Sequence, residues 1–327
     1  MVGRPSTDTF LSTITRRRRS KDRSAGNTLF LLSLLPVALV ILITIALVIR
    51  FWPILSEYSL VQLLSGQIWK PQQGQFGYWP FIMGTIWVSA VSVMVAIPPC
   101  LLTAIYLTEY LRSSMRERIK PVLDLLAAIP SVVYGVWGIL AIVPLVGNII
   151  APAFGTLFKD IPFFVSKNPT GYSILSAGTV LAVMIAPFVI SLTMEIISTT
   201  PAGLREASLA LGTTRFEMIR HVILPYNMKG IIAAVTLGTT RALGETMAVL
   251  MIVGNVVQVP KSIFDAAYPL TALIANNYGE MMSIPLYDSA LLGAALILLA
   301  IIVILNIISS LFLRHIIGKQ SHEISSI

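Results

Sequence analysis

Long stretches without Asp, Glu, Lys or Arg alternate with short charged ones along this chain. Uncharged runs extend from Ser24 to Ile49, from Pro71 to Thr108 (apolar from about Phe81), from Leu125 to Phe158, from Asn168 to Met194 and from Ser289 to Leu313. About 20 apolar residues carry an α-helix across the hydrocarbon layer, and one charge at its centre costs about 2.5–3.5 kcal/mol. Each run therefore predicts a membrane helix. A further run is interrupted: Gly230–Thr240 and Thr246–Pro260 are uncharged, with Arg241 and Glu245 between them. Counting it as one helix gives an all-α, polytopic membrane protein with six transmembrane helices.

Composition agrees. Of 327 residues, 56% are hydrophobic and 12% charged, about half the charge of a soluble domain, and the mean hydropathy is +0.83. That excludes a soluble enzyme, a disordered tail and a disulfide scaffold. Cys100 is the single cysteine, and the histidines are His221, His315 and His322, too few for a Cys/His metal centre. No metal and no cofactor is expected. The first apolar run exceeds the 7–15 residues of a secretory signal, so it is expected to stay as the first span.

The net charge of +8 predicts orientation rather than nucleic-acid binding. Lys and Arg gather in the N-terminal arm (Arg16–Arg19 among them), after the second span (Arg112, Arg116, Arg118, Lys120), after the fourth (Arg205, Arg215, Arg220, Lys229) and at Arg314 and Lys319. The opposite side holds only Arg50, Lys70, Lys159, Lys167 and Lys261. Positive loops stay inside, so both termini are expected in the cytoplasm. The arm cations have anionic membrane lipid as a second reading. The expected layout is a basic arm over 1–28, a first helix over 29–50, an extracytoplasmic loop over 51–80, a five-helix core over 81–313 and a tail over 314–327. Pro98, Pro99, Pro130, Pro144 and Pro187 bend the spans. Trp52, Trp69, Trp79, Tyr58, Tyr78, Phe163 and Phe164 in the outer loops suit either an interfacial belt or a landing surface for a partner.

Residues 198–229 predict two short cytoplasmic helices. Thr200 is placed as N-cap with Pro201 at the first helical position, the helix 202–211 ends at Gly212, and Thr214-Arg215-Phe216-Glu217 is a capping box before a second helix that Pro225 stops. Leu204, Leu209, Leu211 and Phe216 have nothing local to bury them, so the pair is expected to dock on a partner or on its own bundle.

Glu206-Ala207-Ser208, three residues, Gly212, nine residues, then Val222-Ile223-Leu224-Pro225 resembles the EAA loop of ABC importer permeases, whose pattern is E-A-A, three, G, nine, I-x-L-P. Ser208 and Val222 depart from it conservatively. The resemblance implies a type I ABC importer permease fold. It also implies a coupling helix that sits on a separate ATPase subunit, with Glu206, Ala207, Gly212, Leu224 and Pro225 carrying that contact. The chain contains no G-x-x-x-x-G-K-[ST] string, so it lacks the phosphate cradle of a P-loop ATPase.

Arg241 and Glu245 are four apart, which on an uninterrupted helix stacks them on one face. Ionisable residues at membrane depth mark pathways, and a guanidinium suits a phosphate-type oxyanion. An intrahelical ion pair of purely structural role is the alternative. Arg241-Ala242-Leu243-Gly244-Glu245-Thr246 is similar to the R-A-x-G-E-T motif of phosphate-specific ABC permeases. Tyr106-Leu107-Thr108-Glu109-Tyr110 and Ala127-Ala128-Ile129-Pro130-Ser131-Val132-Val133-Tyr134-Gly135 resemble the same group, and the long 148–172 loop resembles its PstC-like branch. This resemblance implies a phosphate pathway at Arg241 and Glu245. The implied partners are a second homologous permease (PstA-like), an ATPase dimer (PstB-like) and an extracytoplasmic phosphate-binding protein (PstS-like). An ABC permease for molybdate or sulfate is the nearer alternative, and a secondary transporter or channel the farther one.

Overall fold

The computed structural model describes residues 7–165, 170–279 and 284–324, with side chains described from 25 to 312 within those limits. Arg4, Lys167 and the last three tail residues lie outside the described residues. So do the side chains of Arg16–Arg19, Arg314 and Lys319.

Six helical stretches among the described residues are long and apolar enough to cross a membrane: Ala25–Glu57, Trp79–Tyr110, Ser131–Leu157, Ile174–Ser198, Arg215–Gly244 and Tyr287–Phe312. The count matches the charge-free runs, since a helix satisfies its own backbone groups wherever water is absent. The first belongs to α1 (Thr7–Glu57). Its apolar side chains point outward (Leu29 is 67% and Leu42 64% exposed), while Phe51 and Ile54 at its end are buried. There Arg50 pairs with Asp288 at 3.6 Å, which ties α1 to α14 (Tyr287–Ile324).

After α1, α2 (Leu60–Ser65) and a two-residue antiparallel pair, β1 (Trp69–Lys70) with β2 (Gln75–Phe76), form a compact cap. Trp69 meets Phe76, Phe81 and Tyr78 at ring distances of 5.6, 5.1 and 5.8 Å. Tyr78 is fully buried and donates its hydroxyl to the Ala290 carbonyl at 2.7 Å. Phe163 and Phe164 pack on Trp87 and Phe154. These rings therefore pack on one another across the loops. Trp52 and Trp79, 67% and 38% exposed, keep outward positions.

The core is built on α3 (Trp79–Ile105) against α8 (Ile174–Ser198). Gly178 lets them approach: a Cβ there would lie 2.6 Å from Val91 Cγ1. Small residues serve this purpose between membrane helices. α3 widens into a π turn at Tyr106–Tyr110. The third uncharged run divides. Its start closes the amphipathic α4 (Ser113–Ala127), and Pro130 then begins a new helix as the N-cap of α5 (Ser131–Trp137). Helix continues through π turns at Gly138–Ile142 and Val146–Ile150, with α6 (Val143–Leu145) and α7 (Ala151–Leu157) after them. Residues 148–157, expected in a loop, are thus helical.

In the 198–229 region α9 spans Ala202–Ala210. Its start is shifted one residue from expectation: Pro201 takes the N-cap position, and the Thr200 hydroxyl donates to the Ile197 carbonyl at 2.9 Å. Gly212 has φ +80°, the left-handed value that glycine tolerates at a helix end. Thr214 caps α10 (Arg215–Met218) with the capping box complete. Pro225 does not stop the helix. Ile219–Ile223 is a π turn that runs into α11 (Leu224–Gly244), with Pro225 in its first turn. A proline ring collides with the carbonyl four residues earlier, and the wider π turn removes that collision. The latter part of the expected loop is therefore the beginning of the fifth span.

The chain then breaks at Glu245 and Thr246, resumes as α12 (Met247–Ile252), and passes through loops and α13 (Leu270–Asn277) to α14.

Candidate functional site

The helix break separates the two charges that the sequence placed on one face. Arg241 lies in the last turn of α11, whereas Glu245 is extended (φ −70°, ψ 131°). They are not an ion pair; the ion pairs among the described residues are Arg50–Asp288 and Arg205–Glu109. The sequence reading assumed one continuous helix. The helix ends at Gly244 instead, and the Glu245 side chain turns to the start of the next one.

Each charge serves a helix end. Glu245 Oε1 accepts the Ala248 N–H at 3.3 Å, a carboxylate at the positive N-terminus of α12. Its carbonyl accepts the Thr271 hydroxyl of α13 at 3.0 Å. Arg241 Nη2 donates to the Ala127 carbonyl at 3.4 Å, at the negative C-terminus of α4. Its guanidinium carbon lies 5.3 Å from the centre of the Phe188 ring on α8, within cation–π range. Tyr134 donates to the neighbouring Leu126 carbonyl at 3.0 Å. The 127–135 string and the 241–246 string therefore meet in space, although 114 residues separate Ala127 from Arg241.

Chemically, Arg241 is a half-buried cation with one long hydrogen bond. A guanidinium has five N–H donors in a planar fork, so most of its donor capacity can face an incoming oxyanion. Broken membrane helices are tolerated where they line a path. A cavity of about 1230 Å³ lies beyond α12, lined by Leu250, Met251, Asn255, Lys159, Lys261 and Asp265 among others. The loop carrying Asp265 sits on the N-terminus of α8, where Ile174 N–H donates to the Asp265 carbonyl at 3.0 Å. α9 follows the C-terminus of the same 25-residue helix. At about 1.5 Å per residue, the cavity and α9 sit at opposite ends of the bundle.

At the α9 end the EAA-like residues face outward. Glu206, Ala207 and Gly212 are exposed, while Leu224 and Pro225 are half-buried in the π-to-α transition. Leu211 is 85% and Phe216 62% exposed, so these apolar side chains are not docked on the chain's own bundle. Ser208, standing for the motif's third alanine, is buried and hydrogen-bonded to Thr213 at 2.8 Å. Arg205, one of the orienting cations, and Glu109 of the 106–110 string pair at 2.9 Å, a contact that the sequence alone does not predict. One signal was present: Glu109 ends the longest uncharged run, where a carboxylate needs a partner.

Residues 100–321 match the family described as binding-protein-dependent transport system inner membrane component. The Haemophilus influenzae phosphate transport system permease protein PstC is 36% identical over 308 residues, covering 92% of this chain and 97% of that one. The Mesorhizobium japonicum protein of the same name is 34% identical over 277 residues, 84% of each. Among solved structures, a bacterial ABC transporter involved in import of the acidic polysaccharide alginate superposes with a TM-score of 0.57 at 16% identity, covering 91% of this chain and 99% of that one. An inward-facing MetNI methionine ABC transporter gives 0.52 at 17% identity, over 76% and 99%. At such identities these structures speak for the fold alone, a type I ABC importer permease. With 222 of its residues inside the family match, this chain belongs to the binding-protein-dependent transport system inner membrane components.

Proposed function

We propose that this chain is one of the two membrane subunits of an ATP-driven importer of inorganic phosphate. The observation that carries the reading is Arg241. A guanidinium with spare donors stands beside a helix break at the end of a membrane helix, within a string matching R-A-x-G-E-T. Relatives named as PstC phosphate permeases over more than four-fifths of the chain support the cargo. Glu245 is engaged by α12 rather than by Arg241, which leaves the cation available for a divalent or monovalent oxyanion.

The mechanism is alternating access without covalent chemistry on the cargo. Phosphate delivered by an extracytoplasmic binding protein reaches the cavity lined by Lys159 and Lys261 and passes α12 towards Arg241. A separate ATPase dimer presses on α9 and the exposed Leu211 and Phe216, and the break at 245–246 lets α11 and α12 reorient independently. A homologous permease supplies the other half of the path. Both termini lie in the cytoplasm, with the α9 end inward. Labelled phosphate uptake into vesicles bearing the full complex tests the reading. Sulfate and molybdate in excess are expected to leave uptake intact; competition by either transfers the assignment to that oxyanion.

A further inference from the structure

Most of α9 lacks packing: Ser208 is its single buried residue. Three residues join it to α8, and Gly212 at φ +80° joins it to α10. Such connections alone would let the helix swing when pressed. One side chain ties it to the spans by hydrogen bonds. Arg205 Nη2 donates to Glu109 Oε1 at 2.9 Å and to the Ile197 carbonyl at 3.0 Å. Its Nε donates to Glu109 Oε2 at 3.4 Å and its Nη1 to the Thr200 carbonyl at 2.6 Å. Glu109 ends the second span in a π turn and its side chain is 6% exposed. Ile197 lies in the last turn of the fourth span, and Thr200 in the linker that follows it. The buried Thr200 hydroxyl accepts from Asn227 Nδ2 at 2.6 Å, and the same amide donates to the Ile223 carbonyl at 2.9 Å at the start of the fifth. One polar cluster thus joins α9 to three spans.

We propose that Arg205 is a positioning residue that makes α9 and the ends of spans two, four and five move as one body, so that force on α9 is transmitted instead of absorbed by its linkers. The proposal rests on the reading of α9 as the ATPase contact. Apolar contacts can slide over one another. The Arg205–Glu109 fork cannot part without stranding a buried carboxylate, which is strongly unfavourable. The outer face of α9, with Leu209 44% exposed, stays free for the ATPase.

The test uses the complete complex in proteoliposomes, with phosphate imported per ATP hydrolysed as the readout and co-purifying ATPase as the measure of assembly. Arg205→Ala and Glu109→Gln are expected to lower the transport-to-hydrolysis ratio by about tenfold or more, as for loss of a buried partner. Arg205→Lys, which keeps charge but loses the fork, should fall between. In the double variant Glu109→Cys/Arg205→Cys, a short thiol-reactive crosslinker should restore the ratio, whereas a purely structural pair predicts no recovery. An unchanged ratio, a parallel fall of transport and hydrolysis, or loss of assembly in Glu109→Gln and Arg205→Lys alike overturns the proposal. Leu211→Cys separates the two readings. Failure to crosslink to the ATPase refutes the docking surface, while crosslinking with an unchanged ratio in Arg205→Ala refutes the strut alone. A wild-type complex that imports another anion refutes the cargo, and the same ratio is then read with that anion.

Discussion

Replacing Gly212 separates backbone strain from partner contact. Its φ of +80° is unfavourable for any residue with a Cβ, yet a Cβ built there meets nothing within 4 Å. Within this chain the cost is therefore backbone strain alone, about 1–2 kcal/mol. That cost hardly depends on side-chain size, because the space is open. At about 1.4 kcal/mol per tenfold, strain shifts the turn population by roughly an order of magnitude. The Thr213 hydroxyl, bonded to the Ser208 carbonyl at 2.8 Å, keeps the turn braced. Asparagine tolerates the left-handed region best among residues with a Cβ. If the ATPase covers this turn, the three substitutions part company. Gly212→Asn should retain near wild-type coupling, Gly212→Ala should lose a few-fold, and Gly212→Trp should abolish coupling or release the ATPase. The assay is ATPase co-purification together with phosphate imported per ATP. Equal behaviour of the Ala and Trp variants would refute the reasoning, since only a partner can distinguish them.

Other expectations follow from the packing and the caps. Gly178→Leu forces a side chain onto Val91, with its Cβ 2.6 Å from Cγ1, and overpacking of this kind costs about 1–3 kcal/mol; the detergent-solubilised complex should melt earlier, and an unchanged Tm contradicts the α3–α8 contact. Thr214→Ala removes the capping box and about 1 kcal/mol with it; faster amide exchange at Glu217 and Met218 is expected, and unaltered protection speaks against the cap. Trypsin added outside intact cells should cut after the exposed Lys159 or Lys261 and spare Arg215 and Arg220; the reverse pattern inverts the orientation proposed above.

The spans were legible because water-free surroundings impose one rule, a charge-free helix of sufficient length. The same rule hid the details. The charges at Arg215, Glu217, Arg220 and Lys229 mark the first half of 215–244 as loop, so nothing there announces a single helix running through Pro225. A proline normally ends a helix, and only the π turn at Ile219–Ile223 reveals how this one continues. The capping box at Thr214 was readable because its chemistry is local. The Arg205–Glu109 pair spans 96 residues and depends on how α3 and α8 come together. The break at Glu245 lies between these cases. Gly244 offered a local hint, but the tertiary contact that holds the break open, the Thr271 hydroxyl on the Glu245 carbonyl, comes from a helix 26 residues away.

The central claim is that the Arg241 guanidinium attends the passage of an oxyanion. Its most direct test is phosphate uptake by complexes carrying Arg241→Ala or Arg241→Lys, normalised to assembled complex. The account predicts no uptake for Ala and a small residue for Lys, since an ammonium keeps the charge without the planar fork. Uptake at the wild-type rate by Arg241→Ala would contradict it.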